Sequence, residues 1–179
     1  MIRLSPAVLL LATMSFAAVA SEAQQHSGAE SAYFRAVARY FEISEGEIAI
    51  LGNWDLPHDE IPVLLFVARR AGVSAEALVA LRESGRSWTE LSVRYQIGAP
   101  ALHVPLQDPA SAGALSTLYV TFRDTPVDRW DEIHPSAQEI VALVNVRVLS
   151  QSLGLSPDDI MRRTADTMSF VELYSQLIR

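Results

Sequence analysis

The sequence predicts an all-α protein: two related three-helix units packed together, joined by a Pro-rich irregular linker, behind a cleavable signal peptide. Three observations carry that expectation. Serine is followed three residues later by glutamate at Ser44/Glu47, Ser87/Glu90, Ser136/Glu139 and Ser169/Glu172, the spacing of a capping box at a helix start. Apolar residues recur at spacings of 3 and 4 from Tyr33 to Phe41 and from Ile61 to Ala71, the period of one helix face. The second half also repeats the first at an offset of 82, so that Gly72-Val73-Ser74 meets Gly154-Leu155-Ser156 and Ser87-Trp88 meets Ser169-Phe170.

At the start of the chain Arg3 supplies a positive charge, Ala7 to Ala20 form an apolar run, and Ala18-Val19-Ala20 offers small residues for cleavage. Residues 1–20 therefore read as a secretory signal, with the mature chain opening at Ser21 or, after Ser21-Glu22-Ala23, at Gln24. The run stops at Ser21 and Glu22, short of the roughly 20 apolar residues a membrane span needs. No stable span is expected after cleavage, and the net charge of the remainder becomes −8 with the loss of Arg3. Residues 21–31 are small and polar and read as a flexible leader.

The first helical unit is expected over 32–98. It opens with a helix from Ala32 to Phe41 that places Tyr33, Phe34, Val37, Tyr40 and Phe41 on one face. Ser44 with Ile48 and Leu51 reads as a partial extra copy of the short helix, and a longer helix opens near Asp59, where Pro62 is tolerated in the first turn. Gly72, Gly85, Gly98 and Gly154 stand where helical patterns end, as left-handed C-terminal residues do. Residues 99–128 carry Pro100, Pro105, Pro109 and Pro126 and are expected to be the irregular linker, with Leu118-Tyr119-Val120-Thr121-Phe122 as extended chain of strand composition. The second unit, 129–179, repeats the first: Ile160 stands for Leu78, Glu172-Leu173 for Glu90-Leu91 and Leu177 for Tyr95. Its middle helix carries Ser156 as cap, Pro157 at N1 and acids in the first turn.

Composition removes several function classes. The chain is 50% apolar and 20% charged with a net charge of −7, neither a disordered acidic tail nor a basic nucleic-acid binder. It has no cysteine, hence no disulfide framework or thiolate chemistry. All 14 basic residues are arginine, so Schiff-base and P-loop lysines are absent. No G-x-S-x-G elbow occurs, and Ser44, Ser74, Ser87, Ser136, Ser156 and Ser169 read as N-caps. The stretch from Ser87 to Gly98 has the rhythm of a helix-turn-helix. The segment that follows, 99–105, offers no arginine, asparagine or glutamine to a base edge, and Trp88, Leu91 and Tyr95 are better read as core residues.

Two clusters remain as candidates. Asp124, Asp128, Asp131 and His134 crowd hard oxygen donors and one imidazole around Trp130, a set that could hold a metal or perform acid/base chemistry, although the spacing fits no closed motif. A solvated acidic segment that caps the helix starting at Ser136 is the preferred reading of the cluster. Tyr119, Phe122 and Trp130 are the aromatic residues suited to anchor a partner. His58-Asp59-Glu60 is expected to cap its own helix.

The run Arg70-Ala71-Gly72-Val73-Ser74, Gly85-Arg86-Ser87-Trp88 and His103-Val104-Pro105, with Gly154-Leu155-Ser156-Pro157 and Ser169-Phe170-Val171, resembles a group of uncharacterised exported bacterial helical proteins sharing a duplicated G-[VL]-S … S-[WF]-x-E-L pattern. Members of that group carry a Gly/Tyr-rich connector where this chain has Leu115 to Phe122, a departure within the linker. The resemblance implies an exported helical domain and brings no catalytic residues. The expectation is thus an exported soluble protein of the periplasm or cell exterior, a non-catalytic interaction or structural module. No cofactor and no nucleic acid are expected, and another envelope protein is its expected partner. A metal-dependent or acid/base enzyme built on residues 124–134 is the alternative, and a helix-turn-helix regulator is disfavoured.

Overall fold

A computed structural model of the chain describes residues 28–164, 167 and 169–179. The expected signal peptide at 1–20 and the leader up to residue 27 lie outside the described residues. All regular structure among the described residues is helical, with no strand. The first helix, α1, covers residues 28–41, so the leader expected to reach residue 31 is already helical from residue 28. Glu30 in its first turn complements the positive helix end and reaches His58 at 3.6 Å.

Serine chemistry sets the helix starts. The helices α2 (Glu45–Gly52), α4 (Ala75–Glu83), α5 (Trp88–Arg94), α8 (Ala137–Leu153), α9 (Pro157–Arg163) and α10 (Phe170–Leu177) each follow a serine. Its hydroxyl accepts from the N3 amide: Ser44, Ser74, Ser87, Ser136, Ser156 and Ser169 respectively. At Ser87 and Ser136 the box is reciprocal, with the serine amide donating to Glu90 at 2.8 Å and to Glu139 at 2.7 Å. The long helix of the first half, α3 (Ile61–Ala71), carries Pro62 in its first turn as expected.

Gly72 and Gly154 end α3 and α8 with φ of 66°, each followed by an amide that bonds back five residues, Val73 to Ala68 and Leu155 to Ser150. Gly98 does not play that part. Its φ is −74°, and it is the N-cap of a one-turn helix, α6 (Ala99–Leu102). After α5 the left-handed residue is Gln96, φ 56°, and Ile97 makes the equivalent bond to Ser92 at 2.8 Å. The reversal thus occurs just before the glycine is reached.

The segment expected as an irregular linker is mostly helical and belongs to the core. After α6 come 3-10 turns over Pro109–Leu115, broken at Gly113, and then a helix, α7 (Ser116–Asp124), in place of the expected extended chain. The strand composition of 118–122 is overridden by burial. Leu115, Leu118, Tyr119 and Phe122, spaced 3, 1 and 3 apart, turn inward while Val120 and Thr121 face out. The prolines at 109 and 126 bound this helix rather than forbidding it.

The core gathers on α8, whose Ile140, Leu143, Val144, Val146, Val148 and Leu149 are all essentially inaccessible. Against it pack α3, α5, α6 and α9, while α7 and α9 cover the 109–115 turns. Burying α3 from Ile61 to Val67 on every side explains its continuous apolar run. No helix among the described residues is long and apolar enough to cross a membrane.

Candidate functional site

His103, Tyr119, Phe122 and Trp130 come from three elements and form one aromatic cluster. His103 is the residue after α6, Tyr119 and Phe122 lie one turn apart on α7, and Trp130 sits in a 3-10 segment, Val127–Glu132. Ring centroids lie 4.6 Å apart for His103–Trp130, 4.7 Å for His103–Phe122 and 4.9 Å for Phe122–Trp130, in tilted or edge-on arrangements. The polar handles of the tyrosine and tryptophan rings are already committed to the backbone. Tyr119 donates from its hydroxyl to the Val104 carbonyl at 2.5 Å, and Trp130 Nε1 donates to the carbonyls of Phe122 and Thr125 at 3.1 and 3.0 Å. Burial pushes the Tyr119 phenol up to about 12, so the hydroxyl stays a donor.

Arg147 on α8 fixes the back of the cluster. Its guanidinium donates to the carbonyls of Ala101, Leu102 and His103 at 3.0, 3.1 and 2.8 Å, the open carbonyl end of α6, and lies 5.2 Å from the Phe66 ring centre. Burial, reinforced by this neighbouring cation, holds the His103 imidazole below its ordinary pKa. At neutral pH His103 is therefore an uncharged ring.

These rings border a cleft of about 500 Å³, within the size range of small-ligand pockets, with Pro105, Leu106, Pro109, Ala110, Ser116, Val120 and Arg123 completing the wall. All three residues singled out as partner anchors, Tyr119, Phe122 and Trp130, line it. Among the described residues no carboxylate does, and the only cation on the wall is Arg123. Val120, 45% exposed, marks its apolar rim.

The expected metal set is not brought together: among the described residues no three histidine, aspartate or glutamate side chains are grouped so as to hold an ion. Asp124 is paired with Arg123 at 2.8 Å, and that hydrogen bond holds its carboxyl below the ordinary range. Asp131 turns toward Gly98, where the Cβ of any larger residue would meet its Oδ1 at 2.9 Å. Asp128 is exposed, as is His134. Asp124 and His134 do share a polar cleft of about 400 Å³ with Glu132 and Glu139, but Glu132 is engaged by Arg129 at 2.6 Å and Glu139 by the Ser136 amide. The cause lies in sequence order: Asp124, Glu132 and Glu139 each find a partner one to three residues away before they can meet one another.

His58-Asp59-Glu60 does not cap its own helix, and its carboxylates act at long range instead. Asp59 accepts from the amides of Phe170 at 3.0 Å and Val171 at 3.3 Å, capping α10 from 111 residues away. Glu60 receives Arg82 in a bidentate pair, with the shortest N–O distance 2.8 Å, and Trp88 Nε1 at 2.8 Å, while Arg82 lies 5.0 Å from the Trp88 ring centre. Sequence reasoning also missed His103. Its signal was an imidazole set between the apolar residues Leu102 and Val104 and close to Pro105. In the Ser87–Gly98 pair, Trp88 and Leu91 are 1% exposed, and the helix that follows has only four residues. Comparison of the chain with protein-family models, with curated proteins and with solved structures finds no match.

Proposed function

We propose that this chain is an exported, non-catalytic module that holds another protein of the cell envelope through the cleft of His103, Tyr119, Phe122 and Trp130. The observation that carries this reading is the state of the cleft wall. The Tyr119 and Trp130 donors are spent on backbone carbonyls, so ring faces and edges, prolines and aliphatic carbon make up most of what meets a partner, with the His103 imidazole, Ser116 and Arg123 as the polar groups of the wall. Such a wall recognises an inserted apolar side chain, the anchor typical of interface hot spots. Rigid aromatic groups held by α6, α7 and α8 also lose little conformational freedom on binding.

Export rests on residues 1–20 and on the resemblance to exported helical proteins. Nucleic acid is disfavoured as a partner by the net charge of −7, which lacks the electrostatic term that dominates such binding. The fold reading that accompanies this function is a duplication of a three-helix unit. Its support is that α9 and α10 open at residues 157 and 170, each 82 after the starts of α4 and α5 at 75 and 88, with serine caps in register. Two such units bury faces that neither buries alone.

The test compares capture from a cell-envelope fraction by the unaltered chain and by Val120→Glu, which places a charge on the exposed rim without touching the core. Specific capture lost in Val120→Glu supports the reading; capture indifferent to the change, or none, sinks it. N-terminal sequencing of the exported protein should begin at Ser21 or Gln24. A second reading, a metal-dependent or acid/base centre, draws only on Asp124 and His134 sharing a polar cleft with Glu132 and Glu139. It requires calcium, manganese or zinc to raise the melting temperature.

A further inference from the structure

We infer that the ligand of the aromatic cleft is the C-terminal residue of a partner polypeptide, its apolar side chain among the rings and its α-carboxylate on Arg123. This rests on the reading of the cleft as a docking site and adds the chemistry of what docks. Charge complementarity carries the inference. The chain as a whole is acidic, yet among the described residues no carboxylate lines this cleft and its one cation is Arg123. A mainly apolar wall whose one charged group is a guanidinium matches an apolar group bearing one negative charge.

Arg123 is available for that role. Its present partner, Asp124, is the adjacent residue and does not line the cleft, and the two side chains are 65% and 59% exposed. An exposed pair of this kind is held weakly by solvent-screened attraction, so the guanidinium can turn to a second carboxylate and grip it with two parallel hydrogen bonds. His103 adds no competing charge, being an uncharged ring at neutral pH.

Position distinguishes a chain end from an internal acid. Arg123 directly follows Phe122 and lies one helical turn from Tyr119 and Val120, so cation and ring wall are adjacent. In a C-terminal residue the apolar side chain and the carboxylate branch from one Cα, which reproduces that adjacency. An aspartate or glutamate beside an apolar residue sets the two groups at least one residue apart. The neutral amides of an internal strand or helix would bring Arg123 no carboxylate beyond that of Asp124.

The experiment titrates the purified chain by calorimetry with the peptide N-acetyl-Gly-Ser-Gly-Leu-Phe, bearing a free C-terminal carboxylate, and with its C-terminal amide. The expected result is that the acid binds at least about tenfold more tightly than the amide. Arg123→Gln should bring both to the amide's affinity, and Arg123→Lys should keep part of the preference. Because Arg123 is exposed, both variants should melt as the unaltered chain does. Absence of saturable binding by the acid, equal affinity for acid and amide, or a preference that survives Arg123→Gln overturns the inference. Binding of N-acetyl-phenylalanine as tight as that of the pentapeptide also overturns it, in favour of a small free acid. If acid and amide bind equally and Val120→Glu abolishes both, the docking site stands and only the carboxylate assignment falls. Envelope capture indifferent to Val120→Glu is the separate failure of the underlying reading.

Discussion

The hydroxyl of Tyr33 on α1 donates to Oδ1 of Asn145 in the middle of α8 at 2.5 Å, and neither side chain is accessible to solvent. Asn145 in turn donates from Nδ2 to the carbonyls of Asp59 at 2.8 Å and Val141 at 2.9 Å. One amide thereby satisfies three groups from α1, α8 and the turn before α3, in a core otherwise built mainly from aliphatic and aromatic carbon. Burial, with the nearby Asp59 charge adding to it, raises the Tyr33 phenol well above its ordinary pKa, so the hydroxyl remains a donor.

The first prediction follows from that geometry. Tyr33→Phe removes one donor and leaves the Asn145 oxygen unpaired, at a cost of about 1 to 3 kcal/mol. Asn145→Ala strands the Tyr33 hydroxyl and opens space in the core as well, so it should cost more, about 3 to 5 kcal/mol. In urea unfolding the double variant should lose less than the sum of the two, because the second change removes a partner already lost. Additive losses would mean that the two side chains act independently.

Glu60 predicts a second, separable effect. Its carboxylate takes the Arg82 fork and the Trp88 indole together, at 15% side-chain exposure, joining α3, α4 and α5. Glu60→Ala leaves a half-buried guanidinium and an indole N–H without their acceptor and should cost about 2 to 4 kcal/mol. Glu60→Gln keeps an acceptor for Trp88 and should cost less. Arg82→Ala should also cost less, since the indole bond survives. Chemical denaturation of the three variants checks the order, which a purely steric role for Glu60 would not produce.

Much of this architecture is legible in the sequence because its signals are local. Six serines announce six helix starts, and each hydroxyl needs only an amide three residues ahead. What is not legible depends on contacts far along the chain. Asp59 is an ordinary first-turn acid until α10, 111 residues later, presents its amides. The run Leu118–Phe122 reads as strand by composition, and only the burial of Leu115, Leu118, Tyr119 and Phe122 together reveals helical period. The anchors Tyr119, Phe122 and Trp130 are visible as aromatic residues, whereas the His103 wall and its support by Arg147 are tertiary facts. Gly98 misleads for a different reason: Gln96 accepts the left-handed conformation that glycine adopts more readily.

Asp59 and Asp158 should give opposite pH responses. For Asp59 burial outweighs the two amide bonds, and its folded pKa is raised above the ordinary 3.8. Its contribution is therefore fully present below about pH 4 and is lost as pH rises through the raised folded value. Asp59→Asn keeps an acceptor for Phe170 and Val171 without the charge, so its stability relative to the unaltered chain should improve as pH rises above about 4. For Asp158, 5% exposed, burial opposes ionisation. The Asp108 amide at 2.8 Å, the Ser111 hydroxyl at 2.7 Å and the Gln107 amide at 3.1 Å together outweigh it and lower the pKa. Its contribution is present above about pH 4 and is lost as pH falls through the lowered folded value. Asp158→Asn should thus be destabilising at neutral pH and nearly neutral in effect at the acid end. Urea midpoints of both variants from acid to neutral pH read the two signs directly, and parallel curves would contradict the assignment.

The cleft itself should respond to acid through His103. Its pKa is lowered first by burial and then by the Arg147 cation, so folding favours the neutral imidazole. The stability this provides is present above the ordinary value of 6.5 and is lost as pH falls through the lowered folded one. Protonation places a second cation beside Arg147 among the rings of Tyr119, Phe122 and Trp130, where no carboxylate among the described residues lines the cleft to answer it. The near-ultraviolet dichroism of these aromatic residues should therefore weaken below the folded pKa of His103, while far-ultraviolet dichroism persists. His103→Phe, which keeps a ring in contact with Phe122 and Trp130, should remove that transition. If the variant still shows it, the acid sensitivity belongs to another group, and His103 is only a spacer in the wall.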